Sequence, residues 1–397
     1  MKKKGLKLII GVGASLILLP LAACSIEFGG SEAVTKSSNV DTVTVIPGDT
    51  YDDKDETTDT TTDEADVEET STEVNLISNL VSDYETLYGY QLLQTDKYGS
   101  YLTSVYETLY SDAYNFLIST NDYETYTSDG YEYVVISEYK FTNSSYLDLI
   151  ASAWITMIEE NPIYYFTYTG YKVNTYGHGK DKYYTFCFLA GGDYAKASDR
   201  SDYNLAILNM VDEFSLEYEN SNIESDYDKA KFIHDYISNK VSYAYDDSGD
   251  ASMEFWAHNI LGVALNKGSV CESYAETYLF LSYRIDLEAL IVLGYSGTTG
   301  HAWNYVCVDG IWYGVDTTWD DAEQTLSYNY FLVSNNIMSY SHTPNTNTSY
   351  GIDYQVSLPT LSNTSYDTKL DEEFLNTIGN TLNPYHNIPR FPGIRRR

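Results

Sequence analysis

Two strands with alternating hydrophobicity meet at the dipeptide Asp309-Gly310, and this feature restricts the fold of the second half of the chain most strongly. The strands read HAWNYVCV (301–308) and IWYGVDTTW (311–319). A period of two is typical of strands that bury one face. Asp-Gly between two such runs indicates a two-residue type I′ turn, which joins antiparallel strands. The sequence therefore predicts a tight antiparallel hairpin here.

The turn also predicts which side chains share a face of the hairpin. Counting outward from the turn, Trp303 faces Asp316 on the opposite strand. His301 precedes Trp303 by two residues, so it lies on the same face as Asp316 and diagonal to it, at about 7–8 Å between backbones. A carboxylate bound to one imidazole nitrogen fixes the tautomer and leaves the other nitrogen for a nucleophile. A slip of one residue would separate the pair, so the register tests this hypothesis.

A candidate nucleophile lies upstream, in the stretch NKGSVCESYAETYLFL. Ser269 and Glu272 fit the S-x-x-E capping box, which predicts a helix with Val270 as its first residue and Cys271 in its first turn. Unsatisfied N–H groups and the helix dipole lower thiol pKa values there from about 8.5 toward about 7 or below. A small buried structural cysteine fits these residues equally well, so both interpretations stay open at this point.

The other cysteines and histidines are weaker candidates. Cys307 lies on the same face of the predicted strand as His301 but six residues further along. At about 3.4 Å per residue the two are about 20 Å apart, too far for Cys307 to be the nucleophile. Cys187 falls inside a predicted strand, where a packed thiol is expected. His234 and His258 are expected to be packed or exposed. No HExxH, P-loop or CxxC pattern occurs, so we expect neither a metal nor a cofactor.

The first 23 residues predict a bacterial export signal. A lysine-rich start is followed by a short apolar core and by LAAC, which ends at Cys24. The apolar core is too short to favour a permanent membrane helix. A cysteine directly after such a site resembles a lipobox, which implies cleavage before Cys24 and lipidation; an ordinary secretory signal is the alternative. The resemblance implies a protein anchored by lipid to the cell membrane, on its extracellular side.

Residues 24–74 are predicted to be a disordered tether. The stretch 49–73 contains twelve acidic residues, eight threonines and one lysine, too little apolar surface to order the chain. Loss of residues 1–23 removes four lysines and no acid, and takes the net charge from −35 to −39. Such a surface repels phosphate backbones, so nucleic acid is excluded as a partner.

The remaining chain alternates helical and strand patterns. The patterns in the first part of this chain predict a mixed helix/strand region at 75–224, which packs on the core that follows. No linker is visible near residue 224. The core is predicted at 225–340 and a C-terminal extension at 341–397. Helices followed by period-two strands favour an α+β fold. Helices are predicted at 75–94, 101–118, 144–162, 201–219 and 226–240, and strands at 131–141, 163–173 and 182–192.

Three stretches in combination resemble the transglutaminase-like superfamily, in the papain-like group of cysteine enzymes. They read KAKFIHDYISNKVSYAYD, GSVCESYAETYLFL and GHAWNYVCVDGIWYGVDTTWDD, and they fall within residues 225–335. The earlier EENPIYYF resembles, more loosely, the leading part of bacterial transglutaminase-domain lipoproteins. The resemblance implies a catalytic cysteine at a helix N-terminus, packed on an antiparallel sheet that carries the histidine and the aspartate. It implies Cys271 as nucleophile, His301 as base and acid, and Asp316 as the residue that orients His301.

Such a triad attacks a carboxamide or peptide carbonyl and forms a thioester, which water hydrolyses or an amine captures. The backbone N–H of Cys271 is a candidate donor to the oxyanion. The resemblance adds an upstream side chain, for which Tyr243 or Tyr245 is the candidate. Trp303 either lines the active-site cleft or is an ordinary core tryptophan.

Two classes of function follow. The first is a cell-envelope enzyme acting on a peptide or protein substrate, with cell-wall peptide included. The second is a non-catalytic module displayed at the surface that binds cell-wall polymer or protein. The forty-two tyrosines suit such contacts, although packing of a tyrosine-rich fold accounts for most of them.

Overall fold

A computed structural model describes the chain in five segments. The predictions of a cleaved signal, of lipidation at Cys24 and of a tether at 24–74 concern residues that lie almost wholly outside them. Among the described helices, none has the length and apolar character needed to cross a bilayer. The described residues are 15–18, 76–128, 130–321, 326–345 and 357–380.

A five-stranded antiparallel sheet organises the first half of the chain. Strand β5 lies at its centre and is buried at six consecutive positions, 185–190, as expected for a strand covered on both faces. Cys187, in this strand, is 1% exposed and packs with Tyr133 and Leu189, which confirms the prediction of a packed thiol. In spatial order the strands are β1 (Ser15–Leu18), β4 (Thr167–Tyr176), β5 (Tyr183–Gly191), β3 (Tyr131–Phe141) and β2 (Tyr126–Ser128).

Four helices pack around this sheet and against the second half. The longer ones carry apolar residues at helical spacing; in α2, for example, Leu102, Val105, Leu109 and Phe116 are all buried. The helices are α1 (Tyr88–Thr95), α2 (Gly99–Leu117), α3 (Leu147–Glu159) and α4 (Ala197–Glu219).

Two predicted elements differ from the structure. The helix predicted at 75–94 is interrupted, because the Asp83 carboxylate accepts the Glu85 N–H and starts a separate 3₁₀ turn before α1. The strand predicted at 163–173 begins only at Thr167. Pro162 and the hydrogen bond from Tyr164 N–H to Asn161 C=O make residues 163–166 a turn, which buries its aromatic side chains in the core.

Glu160 joins α3 to α1 and gives a stability prediction. Its carboxylate accepts the Gly89 and Tyr90 N–H groups at the start of α1, at 2.7 and 3.1 Å, and the Tyr106 hydroxyl at 2.6 Å. Burial, opposed by these bonds, raises its pKa to about 8. Above that pKa the side chain is a carboxylate that only accepts hydrogen bonds. Glu160→Gln then places an amide NH₂ where an acceptor is needed, so we expect a loss of about 1–3 kcal/mol in the free energy of unfolding by urea at about pH 9.

Glu159→Gln is the matched control for that measurement. Glu159 Oε1 is buried and has no hydrogen-bond partner among the described residues. Burial raises the pKa of Glu159 as well. No hydrogen bond to Glu159 Oε1 is lost in the amide, so stability should change less than in Glu160→Gln. Equal stability of the two variants would contradict the capping role of Glu160.

The second half consists of a four-stranded antiparallel sheet covered by helices. Helix α7 packs on β6 and β7 on one side and on α5 on the other, and eleven of its twelve residues are buried. Helices packed on an antiparallel sheet confirm the predicted α+β class. In spatial order the strands are β8 (Ile311–Val315), β7 (Thr299–Val308), β6 (Ala289–Ser296) and β9 (Thr343–Pro344); the helices are α5 (Asp226–Lys240), α6 (Leu261–Ala264), α7 (Cys271–Ser282), α8 (Thr317–Asp320), α9 (Asn335–Ser341) and α10 (Thr368–Asn380).

The hairpin of β7 and β8 has the register that the sequence predicted. Val308 pairs with Ile311, and Tyr305 with Gly314. Asp309 has φ +53° and Gly310 φ +77°, as a type I′ turn requires at both positions. The ladder ends at Val315, one residue before Asp316.

One hydrophobic cluster runs through both halves. It extends from Ile77 to Leu332 and includes residues of the first sheet, of α4 and of α7. The first half thus shares buried surface with the second, while the boundary near residue 224 stays a prediction.

Candidate active site

Helix α7 begins at Cys271, so the thiol lies in its first turn. The first intrahelical bond runs from Tyr274 N–H to Val270 C=O, and the N–H groups of residues 271–273 therefore precede the ladder. The predicted capping box is wrong: Val270 is the N-cap and makes no side-chain cap bond. Ser269 instead accepts the Ser273 hydroxyl at 2.9 Å. The Glu272 carboxylate bonds His258 at 3.1 Å.

A tight turn brings the chain into α7. Gly268 has φ +108°, a conformation that favours glycine, and a Cβ there would lie 3.2 Å from the Ala244 side chain. Ser269 then pairs in parallel with Tyr243. The candidate oxyanion residues thus lie on the strand segment beside the entry to α7. Tyr243 is partly buried, Tyr245 is 41% exposed, and their rings are 4.9 Å apart.

His301 bonds Asp316 and lies near Cys271. Its Nε2 lies 2.7 Å from Asp316 Oδ2. Cys271 is near enough to help raise the pKa of His301. Since Nε2 is engaged with the carboxylate, Nδ1 is the nitrogen left for the sulfur. Cys271, His301 and Asp316 are 3%, 5% and 1% exposed, so little water reaches the group.

The buried pair of His301 and Asp316 favours its charged form. Burial lowers the pKa of His301, but the Asp316 carboxylate and then Cys271 outweigh it and raise that pKa to about 10. Burial acts in the opposite sense on Asp316, and His301 with His342 nevertheless holds its pKa well below the usual value. At neutral pH the pair is therefore an imidazolium and a carboxylate.

His342 is a member of the site that the sequence did not reveal. Its Nε2 lies 2.9 Å from Asp316 Oδ2, the oxygen that also bonds His301. The Trp319 N–H donates to the other oxygen of Asp316 at 3.1 Å. The contact of His342 with Asp316 spans 26 residues and belongs to no spaced motif.

Aromatic rings enclose these polar groups. Trp303 stacks on His301 at 5.9 Å between centroids and is 1% exposed, so it is the core tryptophan of the two alternatives. Trp319 lies 5.6 Å from His301 and 4.6 Å from His342. Tyr330 contacts His342 at 5.5 Å. These rings keep the hydrogen bonds of Asp316 in a medium of low dielectric constant.

A second polar network, built on His234 and Asp320, lies next to the site. His234, from α5, bonds Asp320 at 3.2 Å and Asp235 at 3.1 Å, and it is fully buried rather than exposed. Asp320 also accepts the Ser327 hydroxyl and the Tyr330 N–H. The network therefore fixes α8 and the loop that carries Tyr330. It contains no thiol, and we assign it a structural role.

The atoms of His301, Asp316 and His342 that could bind a metal ion all lie within 4.8 Å of one another. The two N···O separations are 2.7 and 2.9 Å. Two ligands of a tetrahedral zinc, each about 2.0–2.1 Å from it, lie about 3.3 Å apart. The separations between these three side chains are therefore those of hydrogen bonds to one carboxylate, and they are shorter than the separations between zinc ligands.

The other two described cysteines lack this environment. Burial, reinforced by Glu138, raises the pKa of Cys187 to about 11. Burial and Glu288 raise the pKa of Cys307 to about 11 as well. Both thiols are protonated at neutral pH and serve as internal controls for the reactivity of Cys271.

Comparisons with known proteins address this region. Residues 216–317 match the family model described as the transglutaminase-like superfamily, a range that includes Cys271, His301 and Asp316. No curated protein matches the chain. A solved structure described as a crystal structure of a TGase aligns over 37% of this chain and 43% of that chain, with 17% sequence identity and a TM-score of 0.25. The alignment spans less than half of that protein, and a likeness at this TM-score carries no argument.

Proposed function

We propose that residues 216–317, which match the family model of the transglutaminase-like superfamily, form a domain of that superfamily, and that the protein is a cell-envelope cysteine enzyme acting on amide or peptide bonds. One observation supports the proposal most: His301 bonds Asp316 at 2.7 Å and lies near enough to Cys271 for that residue to help raise its pKa. This is the arrangement of nucleophile, base and orienting group that acyl transfer requires.

The reaction proceeds through a thioester. The Cys271 sulfur attacks the carbonyl carbon of a carboxamide or peptide, and the carbonyl π electrons move to the oxygen. The N–H of Cys271 at the start of α7 is positioned to donate to this oxyanion. When the intermediate collapses, the C–N bond breaks and the His301 imidazolium gives its proton to the leaving amine. Neutral His301 then takes a proton from water or from an acceptor amine, which attacks the thioester and regenerates Cys271.

The charge of the chain suggests the kind of partner. A net charge of −35 attracts cationic groups, including the protonated amines of lysine side chains and peptide N-termini. We propose a peptide or protein substrate, with cell-wall peptide as the first candidate. Anchoring through lipidated Cys24 would place the domain at the outer face of the membrane. Cleavage before Cys24 would also remove β1 and leave β4 at the sheet edge.

Exposed tyrosines support an alternative function. Their amphipathic rings suit binding of a polymer or protein without catalysis, and the alternative function is therefore a surface-displayed binding module. Binding alone would survive Cys271→Ala, whereas the enzyme would lose all acyl transfer. Among the described residues, seven tyrosines are substantially exposed: Tyr98, Tyr126, Tyr146, Tyr176, Tyr245, Tyr340 and Tyr366.

Iodoacetamide labelling of the full chain in detergent, from pH 4 to 9 with mass mapping, tests the proposed chemistry. We expect Cys271 to react faster than Cys187 and Cys307 across this range. Its labelling should slow in His301→Ala. Labelling of Cys271 no faster than that of Cys187 or Cys307 would reject the enzyme and favour the binding module.

A further inference from the structure

We propose that His342 is a positioning residue of this active site, which holds Asp316 in the orientation and charge state that His301 needs. The inference deepens the proposed function and rests on it. It starts from the shared oxygen: Asp316 Oδ2 lies 2.7 Å from His301 Nε2 and 2.9 Å from His342 Nε2.

The hydrogen bonds define the tautomer of His342. A carboxylate oxygen only accepts, so His342 Nε2 carries the proton that bonds Asp316. His342 Nδ1 lies 2.9 Å from the Ser341 hydroxyl. In the neutral ring Nδ1 accepts that hydroxyl, and each nitrogen then has a partner. The two hydrogen bonds therefore run in one direction: the Ser341 hydroxyl donates to His342, and His342 donates to the Asp316 carboxylate.

The surroundings keep the ring of His342 neutral. Burial and the nearby positive charge of His301 lower its pKa, even though Asp316 acts in the opposite sense. The described titratable groups that face it are Asp316, His301 and Tyr330. Burial raises the pKa of Tyr330 to about 12, so Tyr330 is uncharged too. His342 thus adds a hydrogen bond to the site without adding charge.

The fold brings His342 to Asp316 through β9. Thr343 and Pro344 pair with Tyr295 and Gly294 at the edge of the sheet. Gly294 also faces His301 across β6 and β7. A Cβ at Gly294 would lie 2.3 Å from the Thr343 carbonyl oxygen, so only glycine lets β9 approach this closely. The strand that places His342 is therefore built against β6, and β6 pairs on its other side with β7, which carries His301.

His342 acts on His301 through the shared carboxylate. Asp316 accepts three donors: His301, His342 and the Trp319 N–H. Removal of one donor in a dry site makes the charged carboxylate less favourable. The carboxylate then supports the His301 imidazolium less well, and it is also freer to rotate. His342 touches neither Cys271 nor the reacting carbonyl in this scheme.

Histidine NMR of the full chain in detergent tests the inference in a Cys271→Ala background. There the titration of His301 reports its support by Asp316 without any contribution from the thiol. We expect His342→Phe, which fills the site but cannot donate, to lower the His301 midpoint by about one pH unit or more. His342→Gln places an amide N–H near the position of Nε2 and should keep the midpoint within a few tenths of a unit.

Several outcomes would overturn the inference. An unchanged His301 midpoint in His342→Phe would show that the contact does not support the imidazolium. Equal shifts in His342→Phe and His342→Gln would show that the hydrogen bond donated by His342 does not account for the effect. Thermal unfolding checks that both variants fold; His342→Asn, too short to reach Asp316, replaces His342→Phe if the latter does not. Slow labelling of native Cys271 would reject the proposed enzyme, while the NMR result still decides the role of His342.

Discussion

Asp316→Asn is expected to slow iodoacetamide labelling of Cys271 at about pH 6.5 by about tenfold or more, because the His301 imidazolium beside the sulfur loses its carboxylate. The physical reason is the buried ion pair. Asp316 Oδ2 lies 2.7 Å from His301 Nε2 and raises the pKa of His301 to about 10 in spite of burial. An uncharged amide cannot stabilise the imidazolium that stabilises the thiolate.

Asp321→Asn is the matched control for Asp316→Asn. Its carboxylate bonds the Tyr274 hydroxyl and does not contact His301. We expect its labelling rate to stay near that of the native protein, and the slow labelling of Cys187 and Cys307 to be the same in both variants. Labelling of Cys271 in Asp316→Asn at the native rate would contradict the role of Asp316.

The same pair predicts the pH dependence of stability. The raised pKa of His301 means that its contribution is fully present below about 6.5 and is lost as pH rises through about 10. The lowered pKa of Asp316 means that its contribution is present above about 3.8 and is lost as acid protonates the folded state. The difference in unfolding free energy between native protein and Asp316→Asn should therefore be largest between about pH 4 and 6.5 and shrink as pH rises toward about 10.

Gly294→Ala is expected to lower the free energy of unfolding by about 3 kcal/mol, since overpacking a tight site usually costs about 1–3 kcal/mol and here meets backbone. The new Cβ would lie 2.3 Å from the Thr343 carbonyl oxygen, 2.6 Å from Trp303 Cη2 and 2.9 Å from Pro344 Cα. Relief of these contacts requires β9 to move away from β6. The movement should also carry His342 from Asp316 and slow labelling of Cys271.

Urea unfolding and Cys271 labelling measure both effects of Gly294→Ala. Ser296→Ala, two residues along the same strand, is the control, because its side chain is partly exposed and its replacement adds no atoms. We expect it to leave both quantities nearly unchanged. Native stability in Gly294→Ala would show that β9 adapts without loss, and that its close approach is not required.

The sequence revealed the part of the site that depends on neighbours within one hairpin. The Asp309-Gly310 turn and the alternation of its strands are local, and together they determine the register that brings His301 beside Asp316. The first-turn position of Cys271 was also predictable, although the capping box was wrong. Buried Ser269 and Glu272 bond to Ser273 and His258 instead, and packing rather than local capping placed the helix start.

Tertiary structure alone decided the contacts that join distant segments. Glu160 caps a helix 71 residues before it, and His342 reaches Asp316 across 26 residues. Neither contact has a fixed spacing, because each depends on how separately formed elements pack. A turn restricts its own flanking residues to a few geometries, which a sequence can display. The docking of β9 on Gly294 is instead decided by the shape of surfaces that exist only after the sheet and its helices have assembled.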